Sequence, residues 1–254
     1  MKNKIALVTG ATSGIGKATA EILARNNYDL VICGRRKDLL SDVSREIKVR
    51  FGVDVLSVEL DVRNRQEVLK KLSSLPDSFK PIDILVNNAG LAAGLNTIDQ
   101  GDVDDWEVMI DTNLKGLLYV SKAVIPLMSN NGEGHIVNIG SIAGKEAYIN
   151  GNVYCATKAA VDMLTKGMRI DLAKIPIRVS AIHPGAVETE FSIVRFKGDE
   201  ERAKKVYMGF ENLVAEDCAR AIWFMLSQPK HVNINELTIM PTAQPNASTI
   251  LRKN

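Results

Sequence analysis

The chain is poor in the residues that build stapled or metal-dependent scaffolds. It has three cysteines, Cys33, Cys155 and Cys218. They are odd in number and lack paired ligand spacing, which argues against a disulfide framework or a zinc cluster and predicts reduced core thiols; no metal is expected. Histidines also number three, and no G-x-S-x-G elbow occurs, so a Ser-His-Asp hydrolase finds no support. No apolar run reaches the ~18 residues of a membrane span. The apolar start Ile5-Ala6-Leu7-Val8 is too brief for a secretory leader, so a cytoplasmic location is the expectation. Net charge is +2, too weak to predict nucleic acid or an anionic membrane surface as partner, which leaves small molecules. Repeats and low-complexity segments are absent as well.

What is present is an ordinary apolar share of 46% with 24% charged residues, enough for a sizeable core. At 254 residues the chain is read as one domain, 1–254, since α/β folds often exceed the usual length of a domain. Short apolar runs at 5–9, 29–33, 54–60, 82–87, 134–140, 177–182 and 237–240 predict seven strands. Helical patterns fill roughly 15–26, 37–50, 65–74, 103–129, 153–174 and 215–227, and Asn64 and Glu67 are spaced like a capping box before the third. Continuous Val/Ile/Leu runs alternating with helices predict an α/β fold, a doubly wound Rossmann-type parallel sheet with helices on both faces. Residues 184–214 break this rhythm with mixed charges after Pro184-Gly185 and are read as a substrate lid, the alternative being a solvated helical insertion.

Thr9-Gly10-Ala11-Thr12-Ser13-Gly14-Ile15-Gly16 follows the first strand and opens the first helix. Glycines there let backbone N–H groups and the helix dipole approach a pyrophosphate, and Gly16 lets the helix pack near the strand. The second strand ends at Arg35-Arg36, where a fold selecting NAD usually presents an acid. Two guanidiniums suit a ribose 2′-phosphate through charge-assisted bonds, with Thr12 and Ser13 hydroxyls as further donors, so NADP is the expected cofactor. Ordinary surface charge opening a helix is the alternative.

Ser141, Tyr154 and Lys158 are spaced thirteen and four apart. Residues four apart share a helix face, so the Lys158 ammonium is expected beside the Tyr154 phenol, pulling its acidity toward neutral pH. Order and context distinguish this set from a chance trio, because the serine follows a strand, the tyrosine opens the next helix, and both lie behind the glycine turn.

The T-G-x-x-x-G-x-G pattern and this set resemble the short-chain dehydrogenases/reductases over nearly the whole chain. The resemblance implies a catalytic tetrad of Asn113, Ser141, Tyr154 and Lys158. Ser141 would stabilise charge on the substrate oxygen, Tyr154 would move the proton, Lys158 would hold the nicotinamide ribose, and Asn113 would hold a water leading to solvent. It further implies that Asp61 and Val62 border the adenine, that Asn88, Ala89 and Gly90 border the nicotinamide ribose, and that Pro184, Gly185, Val187 and Thr189 form a nicotinamide loop. Tetramers built through the fourth and fifth helices and the C-terminal segments are implied too.

Within the family, Leu60-Asp61-Val62-Arg63, Glu188-Thr189-Glu190-Phe191-Ser192, Val194-Arg195-Phe196-Lys197-Gly198 and the tail 237–244 are similar to NADP-dependent 3-hydroxy acid dehydrogenases, which also act on serine and allo-threonine. The expected reaction is hydride exchange between NADP(H) and a short 3-hydroxy acid or β-hydroxy amino acid, of the 3-hydroxypropionate type. The substrate would touch Ser141 and Tyr154, and its carboxylate would need a cation, Arg195 first and Lys197 second. Alternatively, Arg195 pairs with Asp199 or Glu200 on the lid surface. The tetrad leaves open a general ketone or 3-oxoacyl reductase, and a non-enzymatic NADP-binding regulator on the same fold is a further alternative.

Overall fold

The computed structural model describes residues 3–129 and 134–253. Strands and helices alternate: β1 (Lys4–Thr9), α1 (Gly14–Arg25), β2 (Tyr28–Gly34), α2 (Lys37–Phe51), β3 (Val55–Glu59), α3 (Arg65–Ser73), β4 (Ile84–Asn87), α4 (Val103–Ile110), α5 (Leu117–Ser129), β5 (Gly134–Ile139), α6 (Asn152–Asp171), β6 (Ile177–Pro184), α7 (Phe191–Arg195), α8 (Glu200–Tyr207), α9 (Ala215–Leu226) and β7 (Glu236–Ile239). The seven strands form one parallel sheet in the order β3-β2-β1-β4-β5-β6-β7, the Rossmann architecture expected from the sequence.

Side chains alternate across each strand, and that period sorts the core into two layers. Ala6 and Val8 of β1 point to one face, where Leu23 of α1, Ile47 of α2 and Ile222 of α9 cover them; Ile5 and Leu7 point to the other, under Leu72 of α3 and Val124 of α5. Burying both faces is what makes the strand sequences nearly unbroken Val/Ile/Leu. Between the layers, Asn87 Nδ2 donates to Asn138 Oδ1 at 2.9 Å and Ser121 Oγ at 3.0 Å, and Asn138 Nδ2 donates to Thr165 Oγ1 at 2.9 Å. This buried network ties the ends of β4 and β5 to α5 and α6, and such polar cores specify position where apolar packing alone is permissive.

Three details differ from the sequence expectation. The predicted helix 103–129 is two α-helices joined by a π-helical turn at Asp111–Gly116. The Asn64 side chain accepts from Glu67 N–H at 3.1 Å, but the Glu67 carboxylate turns to Lys71 at 2.7 Å, so the predicted capping box is half formed. The 184–214 segment contains α7 and α8, the latter capped by Asp199, whose carboxylate accepts from Arg202 N–H at 2.9 Å.

Candidate active site

The sheet order reverses between β1 and β4, and at that point the connections leave in opposite directions and open a crevice at the carboxyl ends of the strands. A cleft of about 350 Å³ lies there. Its lining brings together Gly10, Thr12, Ser13, Gly14, Ile15, Arg35, Arg36, Asp61, Val62, Asn88, Ala89, Gly90, Ser141, Tyr154, Lys158, Pro184, Gly185, Val187 and Thr189, which are separated by as much as 179 positions in sequence.

The glycine turn is shaped by backbone needs. Gly10 and Gly14 have φ of +66° and +52°, the left-handed region that side chains disfavour. A Cβ on Gly16 would collide with Gly10 O and Asn88 Nδ2, so the helix can lie this close to the turn only without one. Asn88 does not offer its amide to the cleft; Nδ2 donates to Thr9 O at 2.9 Å and Gly10 O at 3.1 Å and clamps the turn from β4. Arg36 spans the turn's rim: Nη2 donates to Thr12 Oγ1 at 2.9 Å and Ser13 Oγ at 2.8 Å, while Nη1 pairs with Glu190 at 2.8 Å. Asp61 is gripped by Arg63, whose hydrogen bonds hold its carboxyl below the usual carboxylate range.

At the other end, Ser141 Oγ accepts from Ala143 N–H at 3.1 Å and is in hydrogen-bond contact with Tyr154. Tyr154 and Lys158 face the cleft from one side of α6, as their spacing predicts. Lys158 is not the charge that sets the acidity of Tyr154. Burial pushes the Tyr154 phenol above its ordinary value, and the cation opposing this is Arg195, whose guanidinium lies 4.9 Å from the ring centre. Lys158 is itself buried, is pushed down to about 8 by desolvation, and donates from Nζ to Ile139 O at 2.9 Å. Asn113 falls in the π turn. Its Oδ1 accepts from Leu91 N–H at 2.8 Å, and Nδ2 donates to Leu91 O and Thr157 Oγ1 at 2.8 and 3.1 Å. With both amide protons engaged, the side chain holds the 91 loop in place, and both Oδ1 and Lys158 Nζ border Gly90.

Arg195 occupies a small recess on the far side of Tyr154, where Nη2 donates to Tyr148 Oη at 2.6 Å and the guanidinium lies over the rings of Tyr148, Tyr154 and Phe191. The alternative pairing with Asp199 or Glu200 does not form; among the described residues no carboxylate lies within 4 Å of it, and its buried Nε has no partner. Lys197 is instead paired with Asp102 and Asp105 at 3.3 and 2.9 Å. Tyr148, Phe191 and Glu190 are site residues the sequence reading did not assign. Only the quoted Glu188–Ser192 segment hinted at two of them, and nothing local marks Tyr148.

The three cysteines are buried and free, and burial pushes the Cys33 and Cys218 thiols up to about 12. Asp162, His183 and Glu236 bring ligand-type atoms within 4.8 Å of one another behind Gly140. Lys145 pairs with both carboxylates, and Lys166 adds a contact to Asp162 at 3.0 Å, so the chain supplies its own cations there.

A parallel sheet with this strand reversal, a glycine-floored cleft and a buried Ser/Tyr/Lys cluster defines the dinucleotide-binding dehydrogenase class. The family model described as short chain dehydrogenase matches residues 4–200, and the chain belongs to that family of enzymes acting on hydroxyl groups. It is 45% identical over 251 residues to the NADP-dependent 3-hydroxy acid dehydrogenase YdfG of Salmonella typhi, covering 98% of this chain and 100% of that one. The NADP-dependent 3-hydroxy acid dehydrogenase of Schizosaccharomyces pombe is 39% identical over 254 residues, covering 100% and 98%. Among solved structures, the closed form of serine dehydrogenase complexed with NADP+ superposes with a TM-score of 0.91 at 45% identity, over 98% of this chain and 100% of that chain.

Proposed function

We propose that the protein is an NADP-dependent dehydrogenase of short 3-hydroxy acids or β-hydroxy amino acids, with serine, allo-threonine and 3-hydroxypropionate as representative substrates. The observation that carries this reading is a single cleft with Arg35, Arg36, Thr12 and Ser13 at one end and Ser141, Tyr154 and Lys158 at the other. The residues fit a dinucleotide: the floor is glycine backbone where a Cβ at position 16 would collide, and the cations stand at the end of β2 where a 2′-phosphate is recognised.

NADP, when bound, supplies or accepts the hydride. Tyr154 holds the transferable proton on Oη, giving it to a nascent alkoxide in reduction and taking it from the hydroxyl in oxidation. Ser141, fixed by Ala143 N–H, presents its hydroxyl proton to the same substrate oxygen. Lys158 places a cation in the buried wall between Gly90 and Ile139, and Asn113 fixes the 91 loop that forms the wall's outer edge.

A pH dependence follows from these groups. The phenolate–ammonium form that oxidation needs carries the same number of protons as the phenol–amine form, so it accumulates after the pair loses its first proton. With Lys158 pushed down to about 8, kcat/KM for oxidation is expected to rise about tenfold per pH unit and level off above that value. Reduction, which needs both protons, runs flat below it and falls above. A profile in which both directions are flat from pH 6 to 9 removes this assignment.

Arg195 is the proposed carboxylate anchor, supported by its lack of an acidic partner and its unpaired Nε next to the Tyr154 ring. Arg195→Ala is expected to raise KM for 3-hydroxypropionate and serine by about 10- to 100-fold, the scale of a charge-assisted bidentate contact, with no comparable rise in KM for neutral alcohols and a smaller fall in kcat shared by both kinds of substrate, since the cation beside Tyr154 is lost in either case. Unchanged KM for the acids defeats the assignment. We further propose that residues 184–214 act as the lid, that the protein works in the cytoplasm as a single-domain subunit, and that exposed Leu118, Met163 and Ile170 on α5 and α6 join subunits into a homotetramer, a mass that light scattering reads directly.

A further inference from the structure

Arg36 has five N–H donors, and four of its contacts are already made within the chain. Nε and Nη2 reach Thr12 Oγ1 at 3.3 and 2.9 Å, Nη2 also reaches Ser13 Oγ at 2.8 Å, and Nη1 holds the Glu190 carboxylate at 2.8 Å. Glu190 is also hydrogen-bonded to Ser13. A guanidinium and a hydroxyl from the glycine turn therefore form an anion site, and the chain's own carboxylate fills it. Both partners of the ion pair are about half exposed, so the pair is open to exchange with an anion from solution.

Glu190 comes from the lid. It directly precedes α7, a helix of five residues, whose Phe191 ring lies 5.6 Å from the Tyr154 ring and whose last residue, Arg195, packs its guanidinium against both rings, 4.9 Å from the Tyr154 centre and 5.2 Å from that of Phe191. One short rigid element thus links the arginine at the end of β2 to the tyrosine at the reaction centre. A phosphate dianion bonded to Arg36 and Ser13 would stand against a carboxylate on the same donors, and like charges this close either separate or weaken each other's binding.

We propose that Glu190 is a selectivity and latch residue: its carboxylate holds the lid on Arg36 and is exchanged for the 2′-phosphate of the coenzyme, which releases α7 to rearrange around Tyr154. The proposal rests on the NADP reading above. It makes Glu190 an opponent of phosphate binding, whereas a residue that merely orients Arg36 would assist it.

The test is isothermal titration of 2′,5′-ADP and 5′-AMP with the full chain, comparing wild type, Glu190→Gln, Arg36→Ala and the double variant. Wild type is expected to prefer 2′,5′-ADP, Glu190→Gln to widen that preference by about fivefold, and Arg36→Ala to narrow the preference to what Arg35 supplies and to abolish the effect of the second substitution. An unchanged or narrowed preference in Glu190→Gln, with wild type still favouring 2′,5′-ADP, overturns the proposal and leaves the NADP reading standing. If wild type binds the two nucleotides equally, the NADP reading fails and takes the proposal with it. Tryptic cleavage of the lid at Lys197, Arg202, Lys204 and Lys205 reads the latch separately. 2′,5′-ADP is expected to speed it in wild type and not in Glu190→Gln, which is cut faster from the outset; no acceleration in wild type overturns the latch.

Discussion

Tyr154→Phe is expected to lower kcat by about 10³-fold in both directions while leaving the dissociation constant for NADPH within about threefold of wild type, since general acid–base catalysis by one group contributes on that scale. The substitution removes one oxygen and keeps the ring, so the contacts with Phe191 and the Arg195 guanidinium survive. What remains, Ser141 and Lys158, can still polarise the substrate oxygen but has no proton positioned for it. Stopped-flow or steady-state turnover with a 3-hydroxy acid measures the loss, and fluorescence quenching of bound NADPH measures the affinity. Retention of more than a tenth of kcat would place the proton transfer elsewhere.

Gly16→Ala is the second large effect. The added Cβ would meet Gly10 O, which belongs to a backbone already at positive φ, and Asn88 Nδ2, which is clamped to two carbonyls. Neither neighbour is the free end of a flexible side chain, so relief requires α1 to move off β1 or the turn to open. Overpacking of this kind typically costs about 1–3 kcal/mol of stability. Because the displaced atoms are those that floor the cleft, NADPH affinity is expected to fall by about 100-fold, well beyond what the change in melting temperature would suggest. Equal affinity in the variant would mean that the turn does not carry the pyrophosphate.

The strands and the six long helical regions were legible in the sequence because burial of both sheet faces leaves an unbroken apolar signature and because the helices between them keep a 3.6-residue pattern. The glycine turn, the β2 arginines and the Tyr154–Lys158 pair were legible for a different reason: each is a local arrangement whose spacing survives in the linear chain. What was hidden is long-range. Arg36 and Glu190 are 154 positions apart, and the aromatic surround of Arg195 draws on Tyr148 as well as Phe191. The direction of the Tyr154 shift was misjudged because sequence spacing reveals which charge can be a neighbour but not how completely the group is removed from water. Helix in the 184–214 segment could be offered only as an alternative because α7 and α8, of five and eight residues, are too short to show a clear period, and the pairing of Lys197 with Asp102 and Asp105 brings in another part of the chain.

The π-helical turn at Asp111–Gly116 amounts to one residue inserted into what would otherwise be a continuous helix. Deleting a single residue from it would satisfy the hydrogen-bond ladder and give a more regular rod. Yet the half preceding the deletion would rotate by about 100° relative to the half following it. Asn113 would then be carried away from Leu91, or α5 would lose its seat on the sheet. The irregular segment is therefore an indexing device: it lets the long rod satisfy two angular settings at once, and shortening would leave room for only one.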